Sequence, residues 1–400
     1  MKILWISPYA PYDNVGHAGG QNHNYYLKYV KNNTNYEIML LSVCNKEESS
    51  KLDLNQHGIR NIVKEYDEKK IKHRIQSIWG KIDIRRDGGL LDNAKYHLLI
   101  DALLQYKINN KDEPQIIVMQ WTEVTVMIDC IRKYYPNSIY IAIEEDVAFQ
   151  GYFRKYMSSK GILKIYKKMK YRFLKKAEIG ALHKCNHIVT LNEKDKKLLT
   201  ENGIEESKIL KACPYFKLNL DIVYNPNQYN LLFYGAMSRK ENYLSAIWFI
   251  KNVMPNLDKR YKLYVVGANP SKEIMRYQCN RIIVTGYVED IKSYFESSLC
   301  LVAPLLLGAG IKIKILEALA AGVPVLTNEI GAEGIQLTNK INYLYCKEAI
   351  DYKIAIEKLT NDIELRKQIS IAGNQHIVRN FNTNNSLNKL IGIMENYDNK

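Results

Sequence analysis

The chain has 400 residues, of which 46% are hydrophobic and 25% are charged, and it carries a net charge of +15. This length exceeds one ordinary hydrophobic core, so two domains are expected, and the apolar fraction excludes an intrinsically disordered chain. No apolar run approaches the roughly 18 residues of a transmembrane helix.

The seven cysteines are scattered along the chain and never follow a CxxC spacing. This pattern predicts reduced thiols in the cytoplasm and argues against a zinc site or a disulfide framework. The first residues, "MKILWISPYAPYD", have a short apolar run before Pro8 and no small-residue cleavage site. They therefore predict a first strand and not a signal peptide.

Short apolar runs rich in β-branched residues recur through the first half, at 2–7, 36–43, 115–121, 138–145 and 187–192. Most are continuous rather than alternating, which is typical of strands buried on both faces of a parallel sheet. After the first strand, Gly19 and Gly20 precede a helical pattern without completing GxGxxG, so this loop predicts either a phosphate or acceptor contact or an ordinary connection.

Three adjacent carboxylates, Glu144, Glu145 and Asp146, end the strand at 138–145. Glu145 and Asp146 are the candidate catalytic residues of the first domain. A general base, a binder of acceptor hydroxyls, a magnesium ligand and a solvated acidic turn are the alternatives.

Residues 154–176, "RKYMSSKGILKIYKKMKYRFLKK", hold ten Lys and Arg and no Asp or Glu. Apolar and aromatic side chains interleave with these bases. The segment predicts a solvated helix or an amphipathic helix on anionic lipid. A nucleic-acid patch ranks last because no nucleic-acid motif accompanies it, and no nucleic-acid partner is expected.

Strand-like runs continue at 229–235, 261–267, 281–286, 299–304 and 323–328, with helical patterns between them. This alternation predicts two tandem doubly wound parallel-sheet α/β domains, each Rossmann-like, with an interdomain cleft. The expected boundaries are 1–212 for the first domain, 213–228 for a linker, 229–375 for the second domain and 376–400 for a C-terminal helix that packs back on the first domain.

Two loops of the second domain suit an anionic ligand at the carboxyl ends of strands. In "YGAMSRKEN", Gly235 opens a turn that carries Arg239 and Lys240. In "GAGIKIKILEALAAGVP" (308–324), a glycine loop meets a helix start near Ile311, where free N–H groups favour phosphate. Lys312 and Lys314 add charge; Glu317 either accepts ribose hydroxyls or pairs with Lys314.

The runs "LVAPLLLGAGIKIKILEALAAGVPVLTNEIGAEGI" and "LLFYGAMSRKENYLSAIWFIKNVMPNL" resemble the donor-binding signature of family 4 glycosyltransferases, which have the GT-B fold. The resemblance covers residues 229–336 and is weak in the first domain. It implies a retaining, metal-independent hexosyl transfer, without a cofactor, from a nucleoside diphosphate sugar to a glycan or lipid-linked acceptor in surface-polysaccharide synthesis. It also implies that the second domain binds the nucleotide sugar and the first domain binds the acceptor. With the cysteine pattern and the basic segment at 154–176, it predicts a cytoplasmic enzyme that is either dissolved or peripheral on the inner face of the membrane.

Carried over to this chain, Glu317 matches the ribose-binding glutamate, and Gly235 matches the glycine of the phosphate turn. The loop of Gly308, Ala309, Gly310 and Ile311 matches the one that approaches the donor sugar and phosphates.

The sequence departs from the family pattern at four positions. Ala309 replaces a glutamate eight residues before Glu317, Ala236 replaces an arginine, Glu241 replaces a lysine, and Glu145 replaces a histidine. Arg239, Lys312 and Lys314 are therefore expected to supply the charge for the diphosphate. A sugar-nucleotide epimerase of the same architecture and a catalytically degenerate partner subunit remain alternatives.

Overall fold

Two parallel β-sheets organise the chain in the computed structural model, which describes residues 1–13, 15–67, 69–70, 73–76, 84–110, 112–217, 221–308 and 310–398. Each sheet belongs to a separate unit: Met1–Tyr215 with Thr383–Lys400 forms the first, and Phe216–Asn382 forms the second. The predicted pair of doubly wound α/β domains is confirmed. No helix among the described residues has the length and apolar character needed to cross a membrane.

The described residues of the first unit form a seven-stranded parallel sheet with the order β3-β2-β1-β4-β5-β6-β7. Its strands are β1 (Lys2–Ile6), β2 (Glu37–Cys44), β3 (Arg60–Glu65), β4 (Ile116–Gln120), β5 (Ile139–Glu144), β6 (His187–Thr190) and β7 (Ile209–Lys211). Its helices are α1 (Ala18–Asn32), α2 (Lys46–Ser49), α3 (Asn93–Asn109), α4 (Thr122–Thr125), α5 (Ile128–Arg132), α6 (Ala148–Met157), α7 (Gly161–Leu182) and α8 (Glu193–Glu201).

Burial on both faces explains why these strands are continuous apolar runs. Successive residues of β1 enter opposite cores: Ile3 and Trp5 join one hydrophobic cluster, whereas Leu4 and Ile6 join the other. Every residue of β4 is buried. Since side chains alternate across a strand, a sheet covered by helices on both faces needs apolar residues at consecutive positions.

The second unit repeats the plan with six described strands in the order β10-β9-β8-β11-β12-β13. They are β8 (Asn227–Tyr234), β9 (Lys262–Val266), β10 (Ile282–Gly286), β11 (Ser298–Ala303), β12 (Val325–Thr327) and β13 (Leu344–Tyr345). The helices are α9 (Lys240–Asn252), α10 (Lys272–Met275), α11 (Lys292–Ser297), α12 (Ile313–Ala320), α13 (Ala349–Asn361) and α14 (Ile363–Asn380).

The last helix, α15 (Thr383–Glu395), belongs to the first unit. Its residues Leu387, Leu390 and Met394 are buried in the cluster that contains Trp5. The expected boundary at 376 shifts to Thr383, because α14 continues to Asn380. The expected linker 213–228 also shortens, since the first unit extends to Tyr215 and β8 begins at Asn227.

The strand order reverses once in each sheet, between β1 and β4 and between β8 and β11. At such a reversal the connections leave toward opposite sides, and a crevice opens at the carboxyl ends of the strands. Gly19 follows β1, Gly235 follows β8 and Gly308 follows β11, whereas Glu145 and Asp146 follow β5, the strand beside β4.

Candidate functional site

The turn after β8 is built so that two loops and a lysine meet at one glycine. Gly235 has a φ of 148°, and a Cβ there would lie 2.7 Å from Lys314 Nζ and 3.0 Å from Asn242 Nδ2. Gly267, after β9, has a φ of 150°, and its Cβ would lie 1.8 Å from the carbonyl oxygen of Gly235. Both positions therefore require glycine, and the exposed backbone at the turn faces the lysine.

Lys314 is the second residue of α12, and its ammonium is held in place against Gly235. Nζ donates a 2.6 Å hydrogen bond to Asn242 Oδ1, while Asn242 Nδ2 donates to the carbonyl of Ala236 at 2.8 Å. Burial is the main cause that lowers the pKa of Lys314 to about 7, and the nearby charge of Arg239 lowers it further. A cation held in this way lacks its full solvent shell and gains strongly from a bound anion.

Glu317 lies one turn along α12 from Lys314 and is partly buried. The backbone of Lys217, the hydroxyl of Tyr234 and the charge of Lys314 lie near its carboxyl and favour the charged form. Burial raises the pKa of its carboxyl to about 7 against these opposing contacts. The simple ion pair with Lys314 does not describe this geometry, because Lys314 donates to Asn242 instead.

The loop between β11 and α12 is left-handed at two glycines, with φ values of 136° at Gly308 and 69° at Gly310. The helix begins at Ile313, two residues later than expected, so Ile311 belongs to the loop. In the described residues no side chain caps this helix start. Ala309 lies outside the described residues.

Lys312 does not project freely from this loop. Its ammonium donates to the carbonyl of Gly310 and lies 3.6 Å from the carboxylate of Glu333, with both side chains largely buried. It therefore stabilises the loop as well as adding positive charge near Lys314, whose pKa it lowers.

Arg239 and Lys240 stand where α9 begins, just beyond Gly235. Arg239 is the N-cap residue, and its exposed guanidinium forms an ion pair with Glu241. Lys240 is the first residue of the helix and is exposed. The structure thus brings Gly235, Arg239 and Lys314 together at the strand reversal of the second sheet.

In the first unit, Gly19 and Gly20 lie inside the first turn of α1, not in a loop. His17 caps this helix by accepting a 3.0 Å hydrogen bond from the N–H of Gly20. A Cβ on Gly19 would lie 3.3 Å from the indole of Trp121 and 3.6 Å from Glu145 Oε2. Glycine here lets α1 approach the residues that follow β4 and β5.

Glu145 is held by two amide side chains. Asn22 Nδ2 donates to Oε2 and Gln120 Nε2 donates to Oε1, each at 2.8 Å. Burial raises the pKa of Glu145 to about 8, with a further contribution from the charge of Asp146. The carboxyl is therefore mostly protonated at neutral pH, and it can both donate and accept hydrogen bonds.

The three adjacent carboxylates occupy different surroundings. Glu144 is fully buried and accepts from the hydroxyls of Thr122 and Thr125, and burial raises its pKa to about 7. Asp146 is exposed. Only Glu145 and Asp146 can reach a ligand at the sheet edge, because Glu144 faces inward.

Among the described residues, one group of three has possible metal-ligand atoms within 4.8 Å of one another: Asp13, Asp53 and His57. Lys28 Nζ donates to both carboxylates of this group, at 2.8 and 2.5 Å. An ammonium charge already pairs with these groups, and Glu145 and Asp146 are not members of the cluster.

The sequence did not predict five residues of the two sites: Asn22, Gln120, Lys217, Tyr234 and Asn242. They lie far along the chain from the side chains near which they are placed, which are Glu145, Glu317 and Lys314. Tyr234 and Asn242 had one available signal, since both flank Gly235 closely in sequence.

Comparison with known proteins bears on the second unit first. Residues 228–362 match the family model described as Glycosyl transferases group 1. This segment contains Gly235, Lys314 and Glu317. A curated relative, the "Uncharacterized 44.6 kDa protein in cps region" of Klebsiella pneumoniae, is 24% identical over 166 residues. The aligned part spans 38% of this chain and 43% of that relative.

Solved structures extend the likeness to both units. The Anabaena protein HepE in complex with UDP superposes with a TM-score of 0.70 at 12% identity, covering 99% of this chain and 100% of that one. Sucrose-phosphate synthase from Thermosynechococcus elongatus gives 0.70 at 12% identity, covering 99% and 98%. These similarities establish the GT-B fold, and with the family match they support a glycosyltransferase.

Proposed function

We propose that the chain is a metal-independent family 4 glycosyltransferase. It moves a hexosyl group, with retention of configuration, from a nucleoside diphosphate sugar to a glycan or lipid-linked acceptor. The observation that carries this proposal is the ammonium of Lys314, held against the Gly235 turn in the segment that matches Glycosyl transferases group 1.

The chemistry of the leaving group fits this cation. When the glycosidic bond to the diphosphate breaks, negative charge grows on a phosphate oxygen. Lys314, Arg239 and the uncapped N–H groups of α12 can stabilise that charge without a metal ion. Interactions that strengthen as the charge grows raise the rate rather than only the affinity.

Glu317 is proposed to accept the ribose hydroxyls. Lys217, Tyr234 and Lys314 favour the charged form of its carboxyl, which is the form that accepts two hydroxyl hydrogen bonds. Ala309 stands where the resembled family carries a glutamate toward the donor sugar, so the choice of sugar is proposed to depend on this position.

The acceptor is proposed to bind at the strand reversal of the first sheet. The protonated carboxyl of Glu145 and the exposed Asp146 offer hydrogen bonds to sugar hydroxyls, and the Trp121 ring lies beside them. Glu145 is proposed to position the acceptor and not to act as a base, because a carboxyl with a pKa of about 8 is mostly protonated at neutral pH.

The biological setting is proposed from one relative. The name of the Klebsiella protein places it in a cps region, which favours surface-polysaccharide synthesis. We place this chain at the cytoplasmic face of the membrane, where lipid-linked acceptors lie. HepE has been crystallised with UDP-glucose, so uridine nucleotides are the first donors to test.

A thermal-shift screen of the full chain against sugar nucleotides finds the donor, because a ligand of the folded state stabilises it by mass action. Release of nucleoside diphosphate from that donor should then fall at least a hundredfold in Glu317→Ala and Lys314→Ala, by loss of about 3 kcal/mol of transition-state stabilisation. Lys262→Ala, at the opposite end of β9, is the matched control.

Three outcomes would overturn parts of this proposal. Failure to bind any sugar nucleotide at millimolar concentration removes the donor site. A new sugar nucleotide formed without acceptor indicates an epimerase. An inverted anomeric centre in the product, measured by NMR, removes retention.

A further inference from the structure

The beginning of α7 and the end of α6 expose a contiguous set of large apolar side chains. Ile162 is 86% exposed, and Ile165 is 63% exposed. Exposed apolar residues are ordinary when scattered, whereas a contiguous patch on a soluble unit marks an interaction surface. The members of this patch are Met157, Ile162, Leu163, Ile165, Tyr166 and Met169.

Four of these residues form one stripe along the helix, here called the α7 apolar face: Ile162, Ile165, Tyr166 and Met169. Their spacing of three, four and seven residues places them on one side of an α-helix. The second half of α7 is anchored on the unit by the buried residues Leu174, Glu178 and Ala181.

The α7 apolar face points away from that anchored side. Ile165 and Leu174 are nine residues apart, and about 100° of rotation per residue places them on opposite sides of the helix. Because Leu174 is fully buried, Ile165 faces outward from the core of its own unit. The unit therefore holds this face out to solvent and does not use it for folding.

Basic side chains cover the other sides of the same helical turns. Lys160, Lys164 and Lys168 are exposed, and residues 154–176 contain no acidic residue. Lys167 is half-buried and lies on the side of Leu174, seven residues further along the helix. Lysines with long aliphatic stems can keep their ammonium groups at the level of anionic headgroups while neighbouring apolar side chains enter the acyl region.

We propose that residues 157–169 dock the first unit on an anionic lipid bilayer, with the α7 apolar face inserted and the exposed lysines at the level of the headgroups. The α7 apolar face favours this occupant over nucleic acid. The outermost side chains are aliphatic, and a phosphate backbone could pair with the lysines but would leave Ile162 and Ile165 uncovered. This docking would bring the proposed transferase to a membrane that carries lipid-linked acceptors. Only this biological role rests on the proposed function; the lipid binding itself does not.

Flotation of the full chain with vesicles of equal parts phosphatidylcholine and phosphatidylglycerol tests the proposal directly. Replacing three exposed lysines (Lys160→Gln, Lys164→Gln, Lys168→Gln) should lower the partition coefficient about a hundredfold, since each base near the surface contributes about fivefold. The double variant Ile162→Ser, Ile165→Ser should lower it about tenfold or more, because it removes the inserted side chains.

Matched controls lie on the second unit. Ile350 and Ile354 are exposed to a similar degree on α13, and Ile350→Ser, Ile354→Ser should leave flotation unchanged. The triple variant Lys251→Gln, Lys259→Gln, Lys262→Gln removes the same net charge from exposed positions elsewhere, and it should have little effect. Circular dichroism of each variant confirms that it is folded.

The proposal is supported if the chain binds the mixed vesicles and binds pure phosphatidylcholine less tightly. It also requires that the two α7 variants, and not the controls, lose this binding. It is overturned if the chain does not float, if the control lysine variant loses as much as the α7 variant, or if mixed-sequence duplex DNA competes fully with the vesicles. Self-association that disappears in Ile162→Ser, Ile165→Ser would also overturn it, in favour of a second copy of the chain. Because the readout is binding, a chain that transfers no sugar can still pass this test.

Discussion

Protonation of Lys314 should control how tightly the protein binds a sugar nucleotide. Burial lowers the pKa of this ammonium from its ordinary 10.5 to about 7. A diphosphate beside it favours the charged form, so binding above pH 7 must take up a proton. The affinity for the donor should therefore fall by up to about tenfold for each pH unit above about pH 7.

The unliganded protein should respond to pH in the opposite sense. Between about pH 7 and 10.5 the unfolded chain keeps the Lys314 proton and the folded chain does not, so the free energy of unfolding rises with pH in this window. Glu317 acts in a lower window: its folded pKa of about 7 exceeds the ordinary 4.5, so its contribution to stability falls as pH rises from 4.5 to 7.

Titration calorimetry with UDP-glucose, or with the best donor from the thermal-shift screen, measures the effect. The diphosphate diester of such a donor does not titrate near neutral pH, so a change in affinity reports on the protein. Repeating each titration in buffers of different ionisation enthalpy gives the number of protons taken up, which should approach one per donor as the pH rises above 7.

Lys314→Met should bind the donor weakly, with an affinity that no longer falls above pH 7 and without proton uptake in that range. Lys262→Met, an exposed residue at the start of β9, should keep the slope of the parent protein. An affinity that is independent of pH in the parent protein, or an unchanged slope in Lys314→Met, would refute the assignment of this ammonium to the diphosphate.

Three further predictions concern stability and reactivity. Gly267→Ala should lower the free energy of unfolding by at least about 4 kcal/mol or prevent folding, because its Cβ would lie 1.8 Å from the carbonyl oxygen of Gly235. The control is Gly392→Ala, in a helix, whose Cβ would meet nothing within 4 Å. In thermal unfolding this variant should be neutral or more stable by up to about 1 kcal/mol. The stability contributed by Glu145 should be lost as pH rises from about 4.5 to about 8, and Glu145→Gln should abolish that part of the pH profile in denaturant titrations. Cys279 is exposed, so it should react first with a thiol reagent, and persistence of the fast phase in Cys279→Ser would contradict this.

The sequence predicted the fold well because strands of a doubly wound sheet have a strong local signal. Continuous apolar runs such as "QIIVMQW" are typical of strands buried on both faces of such a sheet. The alternation of strands with helices then indicated that the strands run parallel. The two glycine loops could be predicted as well, because Gly235 directly follows β8 and Gly308 lies in the loop that follows β11.

The residues that hold the site could not be found in the same way. Glu317 depends on Lys217, which lies a hundred residues earlier, and Glu145 depends on Asn22. Gly19 was expected in a loop, but it lies in the first turn of α1, where the absence of a side chain leaves room for the Trp121 indole. These outcomes are set by tertiary contacts, on which local sequence patterns carry no information.

The return of α15 to the first unit makes the second unit an insertion in the chain, and this has a consequence for synthesis. Ile3 and Trp5 are synthesised before the second unit, whereas Leu387, Leu390 and Met394 of the same cluster are synthesised after it. At typical rates of translation the ribosome needs on the order of ten seconds to traverse the intervening second unit. During that time the nascent first unit exposes an uncovered apolar surface, whereas the inserted unit, Phe216–Asn382, is continuous and can fold as soon as it emerges. A stop codon that removes α15 should therefore destabilise the first unit, although most of that unit lies at the opposite end of the chain.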